Sequence, residues 1–192
     1  MIEPAPQITP VMEAQPEDIN GILEVQNGLL HTNNEELDRG FLWYPVEAKE
    51  LGEIIANPNN HFLAVAKEGD EVIGYTLAYD LKEWQRHKPE WFGLLDVSEE
   101  IKERIKNEKV FYGRHIAVAN QRAGIGSNLN RALQQAARDH GCSMLLVEIM
   151  KKPIENTASI SHNLKQGYKE VGSISYPDGT EWGVFVNELN EV

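Results

Sequence analysis

The residues Gln121-Arg122-Ala123-Gly124-Ile125-Gly126 have the types and spacing to hold a phosphate. They follow an apolar run, Val110 to Val118, and open an amphipathic stretch that ends near His140. Gly124 and Gly126 leave no side chain between the backbone and a docking group. The first turn of a helix behind them would point about four N–H groups outward without intrahelical partners, and the helix dipole adds positive potential there. A strand, a glycine turn and a helix N-terminus in that order form a cradle for a phosphate or diphosphate. A P-loop would end in Gly-Lys-Ser/Thr, but Ser127 follows Gly126 directly. A dinucleotide fingerprint would carry a third glycine, where Leu129 stands instead.

The elements that must position this cradle are legible on both sides. Ile8 to Met12 reads as a first strand, and Glu17 to Leu30 as a helix with Ile19, Ile22, Leu23, Leu29 and Leu30 on one stripe. Thr32-Asn33-Asn34 stops it, and Pro45 opens a second helix over about Val46 to Ala56. Phe62 to Ala66 and Val72 to Tyr79 read as strands joined at Glu68-Gly69-Asp70. The helix behind the glycines buries Ile125, Leu129, Ala132, Leu133, Ala136 and Ala137, and Gly141 suits its C-terminal cap. Met144 to Ile149 is apolar without helical period, so it reads as a buried strand. Lys169 to Tyr176 and Glu181 to Leu189 are strands joined by the turn Pro177-Asp178-Gly179-Thr180.

The spacing Gln-x-x-Gly-x-Gly resembles the acyl-CoA pyrophosphate loop of the GNAT superfamily of N-acetyltransferases. Asn156-Thr-Ala-Ser159 through Gly167-Tyr168 resembles that family's second signature, and Val72-Ile73-Gly74-Tyr75 resembles its third strand. The resemblance covers nearly the whole chain, and its specific part is Val110 to Tyr168. It implies an α/β (α+β) fold: a mixed, largely antiparallel central sheet of six to seven strands, with helices on both faces and a splay between strands 4 and 5. It further implies a single acetyltransferase domain over 1–192. About thirty residues, Asp80 to Glu108, exceed the family's minimal pattern. Their aromatic content and the N-cap pattern at Ser98 predict a helical insertion at about 81–108 beside the substrate mouth, with an inert flap or a homodimer contact as the alternatives.

The activity implied is transfer of an acetyl group from acetyl-CoA, the co-substrate, to a primary amine by direct attack in a ternary complex. Backbone N–H groups of Arg122, Ala123, Gly124, Ile125, Gly126 and Ser127, with Gln121 opening the loop, would bind the diphosphate. The strand edge at Ile116, Ala117 and Val118 would pair with pantetheine, and a backbone N–H at Ile116 or Ala117 would polarise the thioester carbonyl. Asn156 matches the family Asn that contacts pantetheine, and it also suits a plain helix cap; Ser159 takes the small position beside it. An alkyl ammonium of pKa about 10.4 needs roughly 4.6 kcal/mol to lose its proton at pH 7. Glu148 is the first candidate base, with Tyr112 and His115, on opposite faces of the fourth strand, next. Many members carry a Tyr four residues after the small position to protonate the thiolate; Asn163 stands there instead. That departure leaves a second reading, a CoA-binding or sensing protein without catalysis.

The acceptor groove would lie between the segment Glu35 to Tyr44, the insertion and the final hairpin. Phe41, Trp43, Tyr44 and Trp84 could wall it, and Glu35, Glu36 and Asp38 could draw in an amine, either a small molecule or a peptide. The net charge of −12 argues against nucleic acid as a partner, no run is apolar enough for a membrane span, and no Cys/His cluster has zinc spacing, so no metal is expected. The single Cys142 and the lack of a secretory pattern at Met1-Ile-Glu-Pro fit a cytoplasmic protein, with Cys142 as buried packing.

Overall fold

The computed structural model describes residues 10–119 and 124–189. Its centre is one eight-stranded sheet, ordered β1-β2-β3-β5-β6-β8-β7-β4. The strands are β1 (Met12–Glu13), β2 (His61–Glu68), β3 (Glu71–Asp80), β4 (Leu95–Val97), β5 (Val110–Val118), β6 (Met144–Lys152), β7 (Lys169–Ser175) and β8 (Glu181–Glu188). All pairings are antiparallel except β5 with β6. The sheet has one strand more than the six to seven expected, because β4 lies within the insertion. It adds to the outer edge of β7, with Leu95 opposite Ile174 and Val97 opposite Gly172. The predicted fourth and fifth strands are therefore β5 and β6. The first strand falls at Met12–Glu13 rather than from Ile8, and residues 8 and 9 lie outside the described residues.

β5 and β6 are buried on both faces, and the period-2 alternation of their side chains fills two cores. On one face Tyr75, Leu77, Tyr112 and Leu146 meet Ile22 and Val25 of α1 (Ile19–Leu29) and Leu51 and Ile54 of α2 (Ala48–Ala56). On the other, Ala78, Phe111, Leu145 and Val147 meet Leu133 and Ala137 of α6 (Ile125–Asp139). The insertion forms α3 (Leu81–His87), α4 (Trp91–Leu94), β4 and α5 (Glu99–Asn107), and its Leu81, Trp91, Leu95 and Ile105 extend the first core. As its sequence predicts, Ser98 caps α5, its Oγ accepting from the Ile101 N–H at 3.3 Å. α7 (Thr157–Lys165) begins at Asn156, which caps it. Gln26, buried on α1, both accepts from the Val46 N–H at 2.8 Å and donates to the Val46 carbonyl at 3.0 Å, so the chain entering α2 is held in register.

Two close approaches shape what lies at the sheet centre. β5 and β6 pair only from Val110 with Met144 to Gly113 with Val147, although β5 continues to Val118 and β6 to Lys152. The strands thus part beyond Gly113, and the splay expected between them is present. A Cβ on Gly113 would sit 2.9 Å from Val147 Cγ1, so the apex of the gap needs a residue without a side chain. At Gly74 a Cβ would lie 2.9 Å from the Ala117 carbonyl and 3.2 Å from Leu129 Cδ1. Gly74→Ala is expected to lower stability by about 1–3 kcal/mol through overpacking between β3, β5 and α6, measured by urea unfolding; an unchanged midpoint would contradict that packing.

Candidate active site

α6 starts at Gly124, which has φ +88°, a left-handed conformation that favours glycine. Among the described residues, nothing lies within 4 Å of a Cβ built there. The Gly124 carbonyl accepts the first helical bond, from the Asn128 N–H at 3.0 Å. The N–H groups of Ile125, Gly126 and Ser127 precede that bond, and among the described residues no side chain caps them. Gly126 faces His162 on α7, where a Cβ would come within 3.3 Å of Cε1. Bare amides therefore open onto a cleft of about 1550 Å³ that runs past the gap between β5 and β6. Gln121, Arg122 and Ala123 lie outside the described residues.

The expected cofactor residues fall along this cleft. Ile116 and Val118 line it from β5, and Gly124, Gly126 and Ser127 from α6. Asn156, Ser159 and Asn163 line it from α7 and its cap. Ala117 and Ile125 turn their side chains into the core, 2% and 1% exposed. Asn156 does two jobs: Oδ1 accepts from the Ser159 N–H at 3.2 Å, and Nδ2 donates to the Phe41 carbonyl at 2.9 Å. It fastens the 37–45 segment to the start of α7. Asn163 donates Nδ2 to the Ser159 carbonyl at 2.9 Å, and its buried Oδ1 has no hydrogen-bond partner among the described residues.

Glu148, Tyr112 and His115 come together on one face, which corrects the expectation that Tyr112 and His115 point to opposite sides. Gly113 pairs with Ala78 and His115 with Leu77, so Arg114 is an extra residue in β5. This bulge resets the alternation and brings His115 round to the side of Tyr112. A bulge leaves no mark in the apolar pattern of the segment. The His115 ring is 6% exposed and its Nδ1 lies 2.9 Å from the Tyr75 hydroxyl. Burial and the Arg114 charge lower its pKa to about 3, against a smaller opposing effect of a backbone hydrogen bond with Tyr44. The imidazole is neutral at physiological pH.

Glu148 projects from β6 just past the last β5 partner. Its Oε1 accepts from the Trp91 indole N–H, and its Oε2 from the Tyr176 hydroxyl at 2.9 Å. Burial raises its pKa from 4.5 to about 7, and the two hydrogen bonds offset part of that rise. Tyr112 is held well above the ordinary phenol range, first by burial and then by the Glu148 charge. Cys142 is 5% exposed and burial pushes its thiol up to about 11, in keeping with a packing role. Tyr168, also expected in the core, is 2% exposed.

Beyond Glu148 the cleft widens between α2, α3, the 37–45 segment and the final hairpin. Phe41, Trp43, Tyr44 and Trp84 line it as anticipated. Glu35, Glu36 and Asp38 do not; Glu36 pairs instead with Arg39, one helical turn away. Besides Glu148, the carboxylates that line the cleft among the described residues are Glu47, Glu50 and Glu53 at α2, Glu83 on α3 and Asp178 in the β7–β8 turn. Sequence reasoning missed those at α2 and α3 because their carboxylates read as the solvated face of a surface helix until the cleft beside it is in place. Arg114 stacks 5.4 Å from the Trp84 ring centroid and bonds to the Pro45 carbonyl at 3.1 Å. Trp84 in turn stacks on Tyr112 with centroids 4.7 Å apart.

The Acetyltransferase (GNAT) family model matches residues 29–161, more than half of the chain, and the chain belongs to this family. A search of curated proteins returned no match. Among solved structures, YncA of Salmonella typhimurium, determined with its cofactor acetyl-CoA, aligns with a TM-score of 0.64 at 17% identity, over 97% of this chain and 96% of that one. An N-acetyltransferase of Staphylococcus aureus Mu50 aligns with a TM-score of 0.63 at 18% identity, over 94% and 98% of the two chains. A ribosomal-protein-alanine N-acetyltransferase of Brucella melitensis aligns with a TM-score of 0.63 at 16% identity, over 94% and 99%. At these identities the structures establish the shared fold. Among the described residues, no helix is long and apolar enough to cross a membrane.

Proposed function

We propose that this protein is an acyl-CoA-dependent N-acetyltransferase, moving an acetyl group from acetyl-CoA to a primary amine by direct attack while both are bound. The observation that carries the reading is the end of the β5–β6 ladder at Gly113 and Val147, with bare α6 amides on one side of the gap and Glu148 on the other. The amides of Ile125, Gly126 and Ser127 are charge-complementary to a diphosphate. The free edge of β5 past Gly113 offers backbone groups to a pantetheine arm, as an added strand would. An N–H there, fixed by the sheet, stands ready for a carbonyl oxygen that gains charge.

Glu148 takes the proton that the incoming ammonium must lose. A carboxylate with pKa about 7 is a stronger base than an ordinary one and is still largely ionised above neutral pH. The ammonium enters past Glu47 and Asp178, whose charges favour a cation, and past Glu50, Glu53 and Glu83, which already pair with Arg114, Lys49 and Arg86. After attack the C–S bond breaks, the amide nitrogen sheds its second proton to water, and the thiolate is protonated from solvent. Asn163 cannot serve as that acid. His115, neutral and bonded to Tyr75, acts as a strut beneath the Tyr44 segment.

Release of free thiol from acetyl-CoA in the presence of a panel of small amines and peptide N-termini tests the reading. Amine-dependent thiol release supports it. Tight acetyl-CoA binding without turnover on any amine would favour the alternative of a CoA-binding or sensing protein, for which the amide at Asn163 is the supporting feature.

A further inference from the structure

We propose that the inserted segment between β3 and β5 is a clamp for the base: Trp91 from the insertion and Tyr176 from the β7–β8 turn are positioning residues that hold the two oxygens of Glu148. This rests on Glu148 being the base. The two donors are far apart in sequence, yet one strand pair delivers both. β4 runs antiparallel to β7, with Leu95 opposite Ile174. Stepping back from Leu95 leads to Trp91, and stepping forward from Ile174 leads to Tyr176, so both donors emerge at the same end of the ladder. Without β4 the edge of β7 would be free and nothing would bring Trp91 over β6.

Each donor is built in. Trp91 is fully buried at 0% exposure, among the largest enclosed side chains of the protein, and its indole N–H is spent on Glu148 Oε1. Tyr176 is anchored by its backbone N–H to the Thr180 carbonyl at 2.9 Å, and its hydroxyl donates to Glu148 Oε2 at 2.9 Å. Tyr176 lines the cleft, while Trp91 lies behind the carboxylate. With both oxygens held from behind and beside, the carboxylate has one orientation relative to the gap. Indole and phenol donors also favour its ionised form against the cost of burial.

The ionisable groups around Glu148 are the phenols of Tyr112 on β5 and Tyr176, both pushed up by burial and by the Glu148 charge. Glu90, beside Trp91, and Tyr44 act on Tyr176. Asp178, in the same turn, is bonded to Thr180 and Tyr44. The cation on β5, Arg114, is engaged with Glu50, Pro45 and the Trp84 ring. The two neutral donors are thus the direct partners of the carboxylate.

The test is a titration of the Glu148 side-chain carboxyl by carbon-13 NMR in protein labelled at glutamate, for wild type, Trp91→Phe and Tyr176→Phe. Each substitution removes one donor, so each is expected to raise the Glu148 midpoint by about one pH unit and to move the acid limb of the kcat/KM profile upward equally. Tyr176→Phe keeps the ring and guards against loss of folding in the Trp91 variant. Folded variants with an unmoved midpoint would overturn the clamp and leave Trp91 a plain core anchor. The carboxyl titration needs no turnover, so it reads the clamp separately from the role of Glu148. A profile that keeps its acid limb in Glu148→Gln would refute the base while leaving the titration to decide the clamp.

Discussion

Glu148→Gln is expected to lower kcat by about 10²–10⁴-fold, the usual contribution of a positioned general base, and to abolish the acid limb near pH 7 in the kcat/KM profile. The amide keeps the size of the carboxyl and both contacts: its oxygen accepts from the Trp91 N–H, and its NH₂ donates to the Tyr176 hydroxyl, which turns from donor to acceptor. A second consequence separates charge from packing. The carboxyl pKa moves from 4.5 in the open chain to about 7 when folded, so the native state holds the proton more tightly. The stability contributed by protonated Glu148 is fully present below about pH 4.5 and is lost as pH rises through 7. At 1.36 kcal/mol per pH unit the loss is about 3 kcal/mol. Glu148→Gln has no such loss, so its stability relative to wild type should improve by about that amount between pH 4 and pH 9. Urea unfolding at several pH values measures it, and a constant difference would show that Glu148 does not carry the buried charge.

Gly124→Val is expected to weaken acetyl-CoA binding by about 100-fold or more, equivalent to about 2.7 kcal/mol, by isothermal calorimetry. The residue needs φ +88°, which costs an L side chain about 1–2 kcal/mol. Among the described residues nothing lies within 4 Å of the added Cβ, so they offer no steric conflict. The side chain would instead stand in front of the Ile125, Gly126 and Ser127 amides. Gly124→Asn separates the two effects, because Asn tolerates the left-handed region yet still places atoms over the cradle. Both variants should lose affinity, with the Asn protein close to wild type in stability. Wild-type affinity in either would remove the cradle from the binding site.

How much of this was legible in the sequence follows the physics of each element. β5 and β6 were readable because they are central: both faces are buried, so each is a nearly continuous apolar run, while α6 buries one face and shows a helical stripe that Gly141 stops. The cradle was readable because glycine at a helix start serves a local backbone need. β4 was not, since Leu95–Val97 is too short to show a period and exists by pairing with β7. The bulge at Arg114 escaped for the same kind of reason: it is a property of the β3–β5 register, and it reversed the expected side of His115. Glu148 stood out as a carboxylate in an apolar strand. Its partners did not, because Trp91 and Tyr176 are 57 and 28 residues away and meet it through the sheet alone. The acidic residues at the cleft mouth were sought at Glu35, Glu36 and Asp38, where the chain is merely polar. Those that line the cleft sit at α2, on α3 and in the β7–β8 turn, which only the tertiary fold brings to one cleft.

The most direct measurement is a crystal structure of the protein soaked with acetyl-CoA. The diphosphate oxygens should lie about 2.7–3.2 Å from the backbone nitrogens at the start of α6, with the thioester between β5 and β6 and its carbonyl carbon open to an amine on the Glu148 side. A diphosphate bound elsewhere, or a thioester outside that gap, would contradict the account.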